Sequence, residues 1–310
     1  MRLAATASKM PTPGFVVRIA ITLAIFAVLL QAVSGLQILE VIANASFFWL
    51  AAAVAALIVQ TVLSALRWRI TAAQLGQHLP LDYAIKEYFL SQAFNQALPG
   101  AVVGDAARAV RASHDAGLLV ASQAVFFERF AGQMGMFLTM AISFILTSMV
   151  AGGIEWPHSV STTLMTVTAI GALGIMGIVW LETMPADWSN TMRQWMKPLL
   201  IAVFAKKVLP AQILLGAAIT FCNLAAFAFA ARAVGVELNP VEIAALVPAL
   251  LFAMLIPVTI SGWGMREGVA ALILPIAGIG ATDAVAASVM FGLAMLVSVM
   301  PGAMMVLGRR

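Results

Sequence analysis

The sequence predicts an all-α polytopic membrane protein, with about six full transmembrane helices and two re-entrant helical hairpins arranged as an inverted repeat. Three observations lead there. Hydrophobic residues make up 63% of the 310 and charged residues 10%, with a mean hydropathy of +1.02. A soluble domain carries about 45–50% apolar and about 25% charged residues. Apolar stretches of the roughly 20 residues needed to span a bilayer follow one another along the chain. Lysine and arginine gather in alternate connections between them, as the positive-inside rule requires.

The clear spans are 15–34, 46–66, 130–151, 161–181, 211–231 and 284–307. The first follows a mildly basic segment, is long enough to cross and lacks a convincing cleavage site, so it reads as a helix rather than a signal peptide. Regions 84–127 and 243–280 fit no simple span. Each has a short apolar run, a Pro–Gly interruption, charges, and a second apolar or amphipathic run. Arg2, Lys9 and Arg18 precede or enter the first span, and Arg67, Arg69 and Lys86 follow the second. Arg193, Lys197, Lys206 and Lys207 lie between the fourth and fifth, while Arg309 and Arg310 end the chain. All of these fall on one side only if both odd regions enter and leave by the same face; connections 35–45 and 152–160 hold no Lys or Arg. Both termini are then cytoplasmic. The single membrane domain 1–310 divides into halves of opposite orientation, 1–155 and 156–310, the first hairpin entering from the cytoplasm and the second from outside. Inverted repeats with broken helices meeting near the midplane recur among transporters. The segment ADWSNTMRQWMKPLL places Trp188, Met192, Trp195 and Leu199 on one helical face, suiting an amphipathic helix on the cytoplasmic leaflet.

Several chemistries find no support. No polar block is long enough for a separate soluble catalytic domain. Cys222 is the sole cysteine, so no intrachain disulfide forms. His78, His114 and His158 are scattered without ligand spacing, so neither a metal site nor a cofactor is expected. No Walker motif is present. The net charge of +4 reads as a topology signal rather than nucleic-acid affinity.

The two interruptions resemble each other. ALPGAVVGDAARAVR and IPVTISGWGMREG share Pro, Gly and Arg at matched spacing: Pro99, Gly104 and Arg108 in the first, Pro257, Gly262 and Arg266 in the second. Each carries an acid nearby, Asp105 or Glu267. Unpaired backbone groups are costly in hydrocarbon, so a Pro–Gly break belongs against a cavity. The breaks formed by Pro99, Gly100, Gly104, Pro257, Gly262 and Gly264 therefore predict a cavity wall. A helix start beside an arginine suits an anion such as phosphate. Arg108 and Arg266 are the leading candidates, against the alternative that they form fold-fixing ion pairs. Asp105 and Arg108, three apart, are placed to pair; Arg266 and Glu267, adjacent on a helix, are not. Glu128 and Arg129 in FFERFAGQMGMF add a third candidate site or an interfacial anchor. Asn95 and Gln96 precede the first break and suit the satisfaction of freed backbone groups, with a substrate contact as the second role. Trp263 plugs the cavity or shields a headgroup, and Arg111 reads as a solvated or headgroup-level charge.

NQALPGAVVGDAARAVRA, FFERFAGQMG and IPVTISGWGMREGVA together resemble three blocks of the lysylphosphatidylglycerol synthase transmembrane family. Asn95, Pro99, Gly100, Gly104, Asp105 and Arg108 match the first block, with Asp where Glu is common. Glu128 and Arg129 match the second. Pro257, Gly262, Gly264, Arg266 and Glu267 match the third, with Thr259 where the family often has Ser. The resemblance implies a lipid-handling domain, which in two-domain members flips an aminoacylated phospholipid made by a fused synthase. The synthase domain is not in this sequence, so lysyl transfer does not carry over.

The expected function is a flippase moving a phosphate-bearing lipid (phospholipid, aminoacyl-phospholipid, glycolipid or polyprenyl-linked) across a bacterial or archaeal cytoplasmic membrane. Substrate-binding candidates are Arg108, Arg266, Glu267, Asp105, Arg129, Glu128 and Asn95, with no catalytic residue. The alternative is a membrane enzyme or accessory subunit of lipid, glycolipid or hopanoid modification without transport. The DAAR step resembles part of a phosphatidyltransferase signature, but the aspartates needed for its metals are missing. A homodimer and a separately encoded lipid-modifying enzyme are the protein partners left open.

Overall fold

The computed structural model describes residues 20–22, 24, 27, 35–98, 102–150, 154–181, 190–252, 254, 259 and 261–307. Most of the expected first span, 15–34, lies outside these residues, as do Pro99, Gly100 and Pro257. All regular structure among the described residues is helical. The helices are α1 (Gly35–Ala43), α2 (Phe47–Gln74), α3 (Leu81–Ala97), α4 (Val103–Arg111), α5 (Ser113–Met149), α6 (His158–Leu181), α7 (Asn190–Leu199), α8 (Leu209–Ala233), α9 (Pro240–Phe252), α10 (Met265–Ile273), α11 (Ala281–Ser298) and α12 (Met300–Leu307). Five stretches are long and apolar enough to cross a membrane: Phe47–Gln74, Ala116–Met149, His158–Gly177, Leu209–Ala233 and Ala281–Met305. They coincide with the expected second to sixth spans.

Two boundaries differ from expectation. α2 continues two turns past residue 66, because nothing in LRWRITAAQ interrupts a helix before Gly76, which takes φ 83°. Arg67 and Arg69 therefore belong to the helix and not to a connection. α5 begins at Ser113, well before 130, with a kink at Gly117 (φ 81°, ψ 159°). The first odd region thus runs into the third span without an intervening loop.

The polarity of the molecule is inverted relative to a soluble protein. Ile170, Leu173, Ile213, Leu214 and Phe221 are exposed, whereas Arg67, Arg108, Glu128, Arg266 and Glu267 are buried. That arrangement suits hydrocarbon as the surrounding solvent. α2 packs most extensively against α8. Ala53, Ala226, Ala230 and Ala231 are fully buried in the core to which both helices contribute, the small residues that close helix approach in lipid favours. α6 stays peripheral, touching α5. The amphipathic segment forms α7, followed by a π-helical turn, Leu200–Phe204. Trp195 seats edge-on against Phe126 and Phe127 of α5; Trp188 lies outside the described residues.

Candidate functional site

The first interruption folds as a hairpin. Across it, Glu87 pairs with Arg111, Ser91 with Asp105, and Asn95 with the Gly104 N–H. Partners draw closer in number as the break nears, which is how two antiparallel arms meet. Gly104 permits the approach, since a Cβ there would run into the Ser91 carbonyl and stand 2.8 Å from Asn95 Oδ1. The Gly104 N–H donates to Asn95 Oδ1 at 2.8 Å, so Asn95 satisfies a donor freed at the start of α4. Arg111, expected as a solvated or headgroup-level charge, instead reaches the buried Glu87 carboxylate.

α5 lays Glu128 onto this hairpin. Its enclosed carboxylate accepts from Arg67 Nη2 at 2.8 Å, Tyr88 Oη at 3.2 Å and Arg108 Nη2 at 3.4 Å. Asp105 accepts from Arg108 Nη2 at 3.0 Å, Ser91 Oγ at 3.0 Å and Asn95 Nδ2 at 3.2 Å, and pairs with Arg129 Nη2 at 2.8 Å. Arg108 lies 4.5 Å from the Trp68 ring centroid and 4.3 Å from that of Tyr88. Those π-faces compensate a guanidinium whose Nε and Nη1 lack hydrogen-bond partners. Arg67, Arg108 and Arg129 thus face only two carboxylates, leaving the network one surplus positive charge.

The second interruption turns through three left-handed residues, Ser261 (φ 51°), Gly262 (φ 78°) and Gly264 (φ 86°). Glycine carries that conformation without a Cβ penalty, and at Gly262 a Cβ would also stand 2.8 Å from Met254 Cγ. Glu267 Oε2 accepts the Gly264 N–H at 2.6 Å, and its Oε1 accepts from Arg266 Nη2 and from Ser288 Oγ. Arg266 Nε donates to Ser288 at 3.0 Å, with its guanidinium 5.1 Å from the Trp263 ring centroid. The expectation that adjacent Arg266 and Glu267 do not meet is therefore corrected. Both lie in the first turn of α10, where Cα–Cβ bonds tilt toward the helix start and no earlier turn blocks long side chains from folding back. At each helix start one N–H is taken up, that of Gly104 by Asn95 and that of Gly264 by Glu267.

Between the two clusters lies a cavity of about 240 Å³. Its charged lining residues are Arg67 and Arg129, accompanied by the carboxamides of Gln60, Gln92, Asn95, Gln96, Gln133 and Asn223. Of the sequence-predicted residues, Arg129 and Asn95 line the cavity, while Arg108, Asp105, Glu128, Arg266 and Glu267 stand behind its wall. The expected wall glycines Gly104, Gly262 and Gly264 are buried away from it, Met254 and Ser261 lining that side instead. The Arg129 side chain is 33% exposed. Arg67, in sequence only a topology marker, lines the cavity with its Nη1 unpartnered. The available signal was the uninterrupted helical run through LRWRI. Ser261 donates to Gln96 Oε1 at 2.5 Å, joining the two breaks at the cavity wall.

No curated protein and no solved structure shows significant similarity to the chain. A family model described as the lysylphosphatidylglycerol synthase TM region matches residues 15–302, a span containing both interruptions, Glu128 and Arg129, and all but the last few residues of the candidate crossing helices. This multi-pass membrane protein belongs to the lysylphosphatidylglycerol synthase transmembrane-region family.

Proposed function

We propose that the protein is a flippase that carries a phosphate-bearing lipid across the cytoplasmic membrane, its headgroup passing through the cavity between the two breaks while the acyl chains remain in lipid. The observation that carries this reading is the cavity itself: it is lined by Arg67 and Arg129 and six carboxamides among apolar side chains such as Leu57, Met136 and Phe291, and backed by a network with surplus positive charge. Such a lining in a membrane domain calls for a function, and the family's domain is associated with lipid flipping. Arg129, Arg67 and Asn95 contact the headgroup; Asp105 holds Arg129 and Glu128 holds Arg67, with Arg108 bridging the two carboxylates. Arg266 and Glu267 brace the opposite wall.

The inverted repeat belongs to the same proposal. Contacts pair off between halves: α2 with α3 as α8 with α9, α4 with α5 as α10 with α11, and α3 with α12 as α9 with α5. Side chains follow suit. Glu128 on α5 bonds Arg108 as Ser288 on α11 bonds Arg266. One turn later, Gly132 and Gly292 each leave room for a guanidinium, that of Arg67 and that of Arg266. Each hairpin returns to the face it entered, with both termini cytoplasmic.

The test is reconstitution of the purified protein in liposomes with acyl-chain-labelled phosphatidylglycerol, beside Arg129→Gln. Transport by wild type that falls tenfold or more in a folded Arg129→Gln protein supports the reading. Transport indifferent to that change sinks the site assignment. Headgroup binding without movement transfers the cavity to the enzyme or accessory-subunit reading.

A further inference from the structure

The cavity's chemistry bears on which headgroup it takes, on the reading above that it receives one. Its two lining charges are both positive, and the remaining polar groups are neutral amides and hydroxyls. The nearby carboxylates are already engaged. Glu128 is fully buried and accepts from Arg67, Tyr88 and Arg108; Asp105 is held by Arg108, Arg129, Ser91 and Asn95. The residues of the two breaks outside the described set, 99–101, 253, 255–258 and 260, include no ionisable side chain that would supply another. An ammonium group has three donors and no acceptor, so among the described residues of this wall it meets two guanidiniums and no unengaged carboxylate.

A hydroxyl group meets the reverse situation. Each carboxamide offers an acceptor oxygen and two donor hydrogens, and a hydroxyl both donates and accepts. Gln60, Gln92, Asn95, Gln96, Gln133 and Asn223 line the cavity together; the first four also bond within the protein, and each keeps a further N–H or lone pair beyond those bonds. The single surplus positive charge, with the unpartnered Arg67 Nη1, matches a phosphodiester, which carries one negative charge. At about 240 Å³ the space lies below the roughly 300–1,000 Å³ of pockets for drug-sized ligands. It therefore admits a headgroup and leaves the acyl chains outside.

We infer that the cavity selects a phosphodiester lipid with a neutral, hydroxyl-rich headgroup, of the glycerol, inositol or sugar type, and discriminates against a cationic aminoacyl headgroup. Binding tests this apart from transport. The full-length protein in detergent is titrated with short-chain phosphatidylglycerol, phosphatidylinositol and lysyl-phosphatidylglycerol, read by tryptophan fluorescence, and acyl-labelled forms of the same lipids are then followed in liposomes. The expected result is binding of the first two at least tenfold tighter than the lysyl ester, with the preference reduced in Gln133→Met. Equal or tighter binding of the lysyl ester overturns the inference, as does binding of none of the three. Selective binding with no flipping upholds the headgroup assignment and removes the transport reading. Flipping of the lysyl ester as fast as phosphatidylglycerol upholds transport and overturns the selectivity.

Discussion

Replacing Glu128 by Gln removes one negative charge from a place no water reaches. Two arginines, Arg67 at 2.8 Å and Arg108 at 3.4 Å, then face a neutral amide. Three guanidiniums would share Asp105 as their remaining carboxylate. Removing one partner of a buried ion pair costs about 3–5 kcal/mol. Gln keeps an acceptor oxygen for Arg67, which places the expected loss at the lower end, about 3 kcal/mol. That is a large share of the roughly 5–15 kcal/mol by which folded domains exceed their unfolded states, and it lowers Tm on the order of 10 °C. Glu237→Gln supplies the control. The Arg232–Glu237 pair has nearly the same separation, 2.9 Å, but its side chains are 51% and 74% exposed, and exposed pairs contribute less than about 1 kcal/mol. Thermal unfolding in detergent, followed by tryptophan fluorescence, reads both, with Trp68 beside Arg108 as the local reporter. The double variant Arg67→Gln/Glu128→Gln should recover part of the loss, because it removes one charge of each sign. A Glu128→Gln protein no less stable than Glu237→Gln, or a double variant worse than the sum of its singles, refutes the charge-balance reasoning.

Further expectations follow from the same geometry. Gly104→Ala drives a methyl into the Ser91 carbonyl, a backbone atom that cannot step aside, so its cost should reach about 1–3 kcal/mol, checked by the unfolding midpoint. Gly132→Ala places a methyl 2.6 Å from Arg67 Nη2, the atom that donates to the buried Glu128; displacing that guanidinium should cost about 1–3 kcal/mol in stability, read by the unfolding midpoint, and lower flipping several-fold in liposomes. Gln96→Ala removes the hydrogen bond from Ser261 between the two breaks; a net loss near 1 kcal/mol in stability is expected, together with an altered transport rate if that contact separates during turnover. In a Cys222→Ala background, Ser159→Cys should react with an impermeant maleimide from outside and Lys206→Cys only after permeabilisation. The opposite labelling pattern would reverse the topology.

The class of this protein lay open in the linear sequence because hydropathy is a sum over neighbours. Twenty apolar residues in a row span a bilayer whatever they pack against, and five such runs reappear as helices long and apolar enough to cross. The first break was legible for a similar local reason. Asn95 lies close enough in sequence to Gly104 to cap it, and their pairing needs only a hairpin. Which arginines face the cavity was not legible, because it depends on helices distant in the chain. Arg67 looked like a loop charge until Glu128 on α5 drew it inside. Arg108 and Arg266 sat beside the breaks as expected, yet Trp68, Tyr88 and Ser288 close over them. An ion pair forms wherever packing brings opposite charges within reach. Spacing along the chain limits such partners only inside one helix or across one turn; between helices, the tertiary fold alone selects them.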